Sequence, residues 1–258
     1  MYEFRDLKKY NGSDDALPSE ALNWNGEYLD NVLEGFHTLN VKGREGFSRA
    51  INAPEMSGDG NRYLDSRLEA KTIVVNFQLL SNNSTELQKR FDKLKNKLYV
   101  DQCKFYFADE TNFYFIGTIS KLENSKEGQL NIVGEIEITC SDPFKHSKPK
   151  TVTNGKISDA SITFPIVPNS LNFVPSANAN RFKVTTNNGM KIQINRGIEK
   201  DKAIVIDFKK LTVKDGTANA LIDLDLTSNL GDFKIKNGTA FTVESAGSLT
   251  IEYEVTQL

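Results

Sequence analysis

The clearest pattern along the chain is the alternation over Lys71–Leu80. Ile73, Val75, Phe77 and Leu79 fall on one face at period two, which predicts a half-buried strand. Val74 and Leu80 add apolar character to the other face, so a second layer is expected to cover part of it. The period then changes. Leu87, Phe91, Leu94 and Leu98 form one apolar stripe at helical spacing, with Lys89, Arg90, Lys93, Lys95 and Lys97 around it. Asn83 is placed to cap this helix. Glu86 follows three residues later, where an acidic side chain reaches back to the cap and meets the positive end of the dipole. A helix over 84–98 would be about 22 Å long. Strand patterns return over Cys103–Phe107, Phe113–Ser120 and Gln129–Cys140, the first two joined by the polar loop 108–112. In the last run Leu130, Ile132, Ile136, Ile138 and Cys140 share the inward face, and Gly134 interrupts it, which points to a bulge or a close backbone approach. These elements predict a β-rich unit with one helix packed on it.

Patterning is weaker on either side. Tyr2–Tyr10 reads as an edge strand, Trp24–Leu29 carries an Asn-Gly turn, and Val32–Lys42 reads as short strand segments interrupted at Gly35. Gly43–Gly46 is a loop, and the stretch from there through Gly58-Asp59-Gly60 reads as a long irregular surface loop. Its glycines match neither the P-loop nor the dinucleotide-binding pattern. Lys145–Gly155 is polar and contains Pro149, which places a domain boundary there and divides the chain into 1–147 and 148–258. Beyond it, short strand-like runs follow closely at 161–167, 181–186, 191–195, 203–207, 211–214, 220–226, 232–235, 239–243 and 248–255. Asn188-Gly189, Asp215-Gly216 and Asn237-Gly238 stand between them as hairpin turns. Many short strands without a helical period predict a β-sandwich.

The chain has 258 residues, with 38% hydrophobic and 26% charged, enough apolar material for real cores. A net charge of -2 and a pI near 5.8 give no electrostatic case for nucleic acid. No apolar run approaches the ~20 residues of a membrane span, and no signal-peptide core opens the chain, so it is expected to be made and kept in a cytoplasm unless something larger carries it out. The two cysteines, Cys103 and Cys140, are expected to be reduced and buried.

Candidate chemistry is sparse. His37 and His146 are the only histidines, and no HExxH, CxxC or GxSxG motif occurs, so neither a metal centre nor a nucleophilic site is expected. Glu135/Glu137 and Asp223/Asp225 are carboxylate pairs at i, i+2, about 6.5–7 Å apart along a strand, a spacing seen in inverting glycosidases. The alternate positions, Ile136 and Ile138 in one case and Ile222, Leu224 and Leu226 in the other, are apolar, which places both pairs on a solvated face. The lysine-rich helix likewise reads as a solvated face rather than a nucleic-acid surface.

Several short motifs fall in a recognisable order: Gly43-Arg44-Glu45, Gly58-Asp59-Gly60, Leu64–Arg67, the strand Thr72–Phe77, the closing Ile138–Phe144 with its Asp-Pro, and Val243–Tyr253. In order and spacing the chain resembles the siphophage distal tail proteins over nearly its whole length. That resemblance implies a mainly β chain, with an N-terminal β-barrel-like belt domain carrying one helix and a C-terminal galectin-like β-sandwich. It implies a homohexameric ring at the end of the tail tube, linking the tail tube protein to the tail tip protein and docking receptor-binding or baseplate proteins. The genome would pass through the channel without specific binding. It implies a structural virion component of the tail, made in the host bacterial cytoplasm, with no enzymatic activity, cofactor, metal or membrane partner. Arg44, Glu45, Asp59 and Arg67 are the charged members of the matched motifs, expected to fix loop geometry or the ring interface. The alternative function is a carbohydrate-binding module for attachment to the host cell surface. Against it, the chain lacks a long insertion in either domain. Galectin-type sites also need a tryptophan, and the second domain has none.

Overall fold

The computed structural model describes residues 17–124 and 130–258; the expected strand Tyr2–Tyr10 lies outside them. The chain divides into two compact units, one ending at Lys145 and joined by Leu258, the other His146–Gln257. It is mainly β, as expected.

The first unit contains β1 (Leu22–Trp24), β2 (Glu27–Tyr28), the short helix α1 (Leu29–Val32), β3 (Phe36–Lys42), β4 (Arg49–Asn52), β5 (Asp65–Leu68), β6 (Lys71–Leu80), α2 (Ser84–Leu98), β7 (Cys103–Phe107), β8 (Phe113–Asn124) and β9 (Asn131–Cys140). The main sheet runs β2-β1-β7-β8-β9-β6-β3. Ile73, Val75, Phe77 and Leu79 are fully buried, as the alternation predicts, and pack with Trp24, Phe36, Phe105, Ile136 and Ile138. The helix α2 has the predicted bounds. Asn83 Oδ1 accepts from the Glu86 N–H at 2.8 Å, and Leu94 and Leu98 are buried in the same core. β9 starts after Leu130, which is exposed rather than inward-facing. Gly134 marks a close approach: a Cβ there would lie 2.4 Å from the Glu123 carbonyl oxygen and 2.6 Å from the Phe77 ring. Asn25 and Gly26, with φ of 53° and 88°, form the β1–β2 turn that only such residues tolerate.

The stretch expected to be an irregular loop is instead an antiparallel hairpin. β4 and β5 pair Arg49 with Leu68 through to Asn52 with Asp65, forming a two-stranded sheet of their own. Only one clear apolar residue, Ile51, falls in β4, so no alternation announces it.

A short strand, β10 (Lys145–Ser147), precedes the second unit's own strands. These are β11 (Lys150–Thr153), β12 (Ser170–Pro175), β13 (Phe182–Thr186), β14 (Lys191–Ile194), β15 (Ile204–Asp207), β16 (Thr212–Asp215), β17 (Ala218–Asn219), β18 (Phe241–Val243), β19 (Gly247–Tyr253) and β20 (Thr256–Gln257). One sheet runs β11-β19-β12-β15-β16-β17 and a second β14-β13-β18. Leu171, Phe173, Ile206 and Ile251 of the first meet Phe182, Val184 and Ile192 of the second in one core, with the Phe173 and Phe182 rings 5.0 Å apart.

Three strand expectations change here. The run 161–167 is not a strand. Pro165 and Pro168 remove ladder donors, and only Ile166 bridges, to Ile235. The run 232–235 keeps only that bridge. The run 220–226 is a turn of 3₁₀ helix, Leu221–Asp223, and a loop; Asn219 Oδ1 takes the Leu221 N–H and Asp225 Oδ1 takes that of Thr227, so local bonds replace a ladder. Conversely, β12 is central, pairing with both β15 and β19, although the sequence reading passed over it. β11 lies where a linker was expected, its single apolar residue, Val152, giving no alternation.

Candidate functional site

Among the described residues of the first unit, Arg44 sits at the centre of a charged cluster. Gly43 brings the chain there with φ 88°, passing so near β6 that a Cβ would lie 2.3 Å from the Thr72 carbonyl oxygen. The Arg44 guanidinium is largely buried. Its Nη1 donates to both Asp109 oxygens, at 3.1 and 2.9 Å, while Nη2 lies 3.6 Å from Glu110 and Nη1 3.7 Å from Glu20. It stands over the Phe107 ring, 4.6 Å from the centroid. Lys71 Nζ donates to the Arg44 carbonyl at 2.9 Å, and Lys145 pairs with Glu110. Burial pulls the Lys71 ammonium below the ordinary lysine range, with the nearby charges acting in both directions. Three cations therefore face three carboxylates around a loop junction.

The other three sequence candidates are not among Arg44's partners. Glu45 is exposed and acts on Lys71 through its charge. Asp59 lies in the exposed tip of the β4–β5 hairpin and Arg67 on β5. Among the described residues neither side chain has a hydrogen bond or ion pair.

The carboxylate pairs are not arranged for catalysis. Glu137 accepts from Ser120 at 3.0 Å, and Glu135 faces Glu123 across β8 and β9 on an exposed face. Asp223 lies 3.3 Å from Arg196 Nη1. Asp225 takes bonds from Thr227, Asn195 and Lys191. The Thr227 hydroxyl and amide bonds, with the others, hold it far below the carboxylate range, so it cannot serve as an acid near neutral pH. These two carboxylates turn inward onto their cations, and Ile222 and Leu226 are the exposed residues, the reverse of the expected facing. His37 and His146 lie in different units, and burial lowers His37. Among the described residues no group of side chains is arranged to hold a metal. Among the described residues no helix is long and apolar enough to cross a membrane.

The second unit has a shallow depression lined by Ala179, Asn180, Arg181, Glu244 and Ser245, with Arg181 and Glu244 paired at 2.7 Å. None of these side chains is aromatic, so the depression offers no ring for a sugar to stack on.

What sequence reasoning missed is the exposed apolar surface of the hairpin. Phe47, Ile51, Met56, Tyr63 and Leu64 are each more than half exposed. Neither face of the ribbon is covered, because every strand residue on it is exposed or only half-buried. The signal was five large apolar residues within 18 positions of a stretch read as a surface loop.

Residues 163–256 match the family described as siphovirus-type tail component, C-terminal domain. The resemblance to siphophage distal tail proteins stands. No curated protein matches the chain. Among solved structures, the Dit protein of phage SPP1, described as a paradigm of the hub adsorption apparatus of phages infecting Gram-positive hosts, has the same fold. The two align with a TM-score of 0.75 and 17% identity, over 92% of this chain and 99% of that one. The activated baseplate of phage P2 solved with calcium aligns at a TM-score of 0.47 and 11% identity, over 85% of this chain and 90% of that one.

Proposed function

We propose that the chain is the subunit of a homohexameric ring at the distal end of a siphophage tail, a structural part of the virion without enzymatic activity. The observation that supports this best is the pairing of a tail-component domain over 163–256 with a fold shared, along nearly the whole chain, with a phage hub protein. In this reading 1–147 forms the belt around the genome channel. The galectin-like region 148–258 docks receptor-binding or baseplate proteins, and the ring joins the tail tube protein to the tail tip protein. The chain is made in the bacterial host and incorporated into the tail. Arg44 fixes the loop at its base, whereas Asp59 and Arg67, exposed and without a partner among the described residues, belong to the ring contact.

Light scattering after size exclusion, with negative-stain images and a pull-down of the tail tube and tail tip proteins, tests the reading. The expected result is an open-centred ring near six times 28.9 kDa that retains both tail proteins. A chain that forms no ring and captures neither protein overturns it.

A further inference from the structure

The segment 221–226 breaks the rule that its own sequence sets. Ile222, Leu224 and Leu226 alternate with Asp223 and Asp225, yet only Leu224 packs on the core. Ile222 is 91% and Leu226 102% exposed, more than any other large aliphatic side chain among the described residues. From this we infer that 221–226 is the element by which the second unit docks a baseplate protein, with Ile222 and Leu226 entering apolar pockets of that partner. The inference deepens the docking reading given above and rests on it.

Three observations choose this occupant. First, the exposure is built into the fold. The Asn195 N–H donates to the Asp223 carbonyl at 2.8 Å, the Asp225 N–H to the Gln193 carbonyl at 2.9 Å, and the Asn229 N–H to the Lys191 carbonyl at 2.8 Å. The segment is thereby stitched along β14, and the Asp225 carboxylate also takes the Thr227 N–H at 2.9 Å. Held in this way, it meets a partner with little further cost for ordering its backbone. A place where pattern and fold disagree is where function is expected to override local preference.

Second, the charges around the segment cancel. Asp223 lies 3.3 Å from Arg196 Nη1 and Asp225 3.5 Å from Lys191 Nζ. The buried Asp215 lies 3.3 Å from Lys202 Nζ and 3.7 Å from Arg196 Nε. A nucleic acid or an anionic lipid surface is drawn by cations in excess, and each cation of this group has its carboxylate. Third, the neighbours are polar but neutral. Thr227, Ser228 and Asn229 follow Leu226, and Asn195 Nδ2 donates to Asp225 at 3.2 Å. No aromatic residue occurs in 217–232 for a sugar ring to stack on. Exposed aliphatics inside a neutral polar rim have the make-up of a protein contact.

The test uses the full chain with a photo-crosslinking phenylalanine analogue at Leu221. It is mixed singly with each purified baseplate protein of the same virion, the receptor-binding protein included. One of them is expected to crosslink. In Ile222→Ser with Leu226→Ser the Kd for that protein should rise at least tenfold, since two aliphatic side chains leave an apolar contact. Both are exposed in the free chain, so the double variant should keep the parent's thermal unfolding and, by light scattering, its assembly state. The parent's affinity should hold between about 50 mM and about 500 mM salt, because a neutral contact is not screened. An unchanged Kd in the double variant, or an affinity lost with salt, overturns the inference. A ring that forms without any crosslink at Leu221 overturns it too and leaves the ring reading standing. Crosslinks only between copies of the chain assign the segment to a self-contact and overturn the docking role. Retention on anionic vesicles that the double variant loses assigns it to a lipid surface, with the same consequence. A chain that neither assembles nor binds any of these proteins ends the ring reading as well.

Discussion

The Tyr253 hydroxyl donates to Asp159 Oδ2 across 3.2 Å, tying the last long strand to the loop after β11. The same oxygen receives Lys150 Nζ at 2.7 Å, and Asp159 Oδ1 takes the Ser161 N–H at 3.1 Å. Burial alone would push the Asp159 carboxyl up, but the bonds from Lys150 and Ser161 outweigh it and hold the group at about 2. A depressed carboxyl contributes stability above its unfolded value of 3.8 and loses it as pH falls toward 2. The second unit should therefore weaken between about pH 4 and pH 2, by on the order of 1 kcal/mol after solvent screening. Asp159→Asn should remove that part of the acid dependence. Thermal unfolding followed by circular dichroism at pH 6 and pH 2.5 measures both; an unchanged acid dependence in the variant would refute the assignment.

The bond also marks its donor. Tyr253 is pushed up to about 12, first by burial and then by the Asp159 charge and hydrogen bond. In a spectrophotometric titration one tyrosine should ionise well above the ordinary value of 10. In Asp159→Asn it should move only part of the way back, because burial remains. A full return to 10 would mean that the carboxylate, not burial, is the larger cause.

Much of this fold was legible in the sequence where burial is one-sided. Ile73, Val75, Phe77 and Leu79 alternate because one face of β6 is dry, and Leu87, Phe91, Leu94 and Leu98 keep helical spacing because one face of α2 is. The hairpin β4–β5 was not legible because it has no dry face, and a ribbon exposed on both sides leaves no periodicity to read. The 220–226 stretch misled for the opposite reason. Its apolar residues alternate with Asp223 and Asp225 as if on a strand, but the carboxylates find Arg196 and Lys191, and Ile222 and Leu226 face outward while only Leu224 packs on the core. Of the four charged candidates, Arg44 is the one that gathers several carboxylates, and no sequence spacing announces them. Its partners Glu20, Asp109 and Glu110 come from distant stretches that only the fold brings together.

Gly134 stands opposite Phe77, whose ring stacks on Phe36 at 5.3 Å. An added methyl would meet that ring and the Glu123 carbonyl at distances no Cβ adopts. Gly134→Ala should cost about 1–3 kcal/mol through overpacking. Gly46→Ala, with nothing within 4 Å, should be close to neutral. Urea unfolding followed by Trp24, the only tryptophan and a buried member of this core, reports the first unit alone. Equal midpoints for the two variants would contradict the close approach.

Cys103 faces Gly117, and Thr118 faces Thr139, so Gly117 lies between Cys103 and Cys140 in one row across β7, β8 and β9. Two strand spacings separate the cysteines by roughly 9.5 Å, beyond the ~7 Å Cα separation a disulfide allows. Burial raises both thiols, Cys140 to about 12. A thiol reagent at pH 8 should find neither in the native chain and two per chain in denaturant, with no change after an oxidant. Loss of the denatured-state signal after oxidation would show a disulfide and a different register.

Arg44 and the two hairpin charges should separate in their consequences. Removing the guanidinium leaves Glu20, Asp109 and Glu110 close together in a partly buried place, with Lys145 beside them. Uncompensated charge of this kind destabilises by roughly 3–5 kcal/mol when fully buried. Here, with the carboxylates partly exposed, Arg44→Ala should cost about 2 kcal/mol in the Trp24-reported transition. Arg44→Lys should recover only a fraction, since a single ammonium nitrogen cannot hold Asp109 and face Glu110 from two separate positions as Nη1 and Nη2 do. Asp59→Ala and Arg67→Ala remove no contact within the described residues, so they should leave that transition within about 0.5 kcal/mol of the parent and shift only the concentration at which the chain assembles. If Arg67→Ala instead lowers the unfolding midpoint as far as Arg44→Ala does, the hairpin charge belongs to an intramolecular tie and not to a contact between copies.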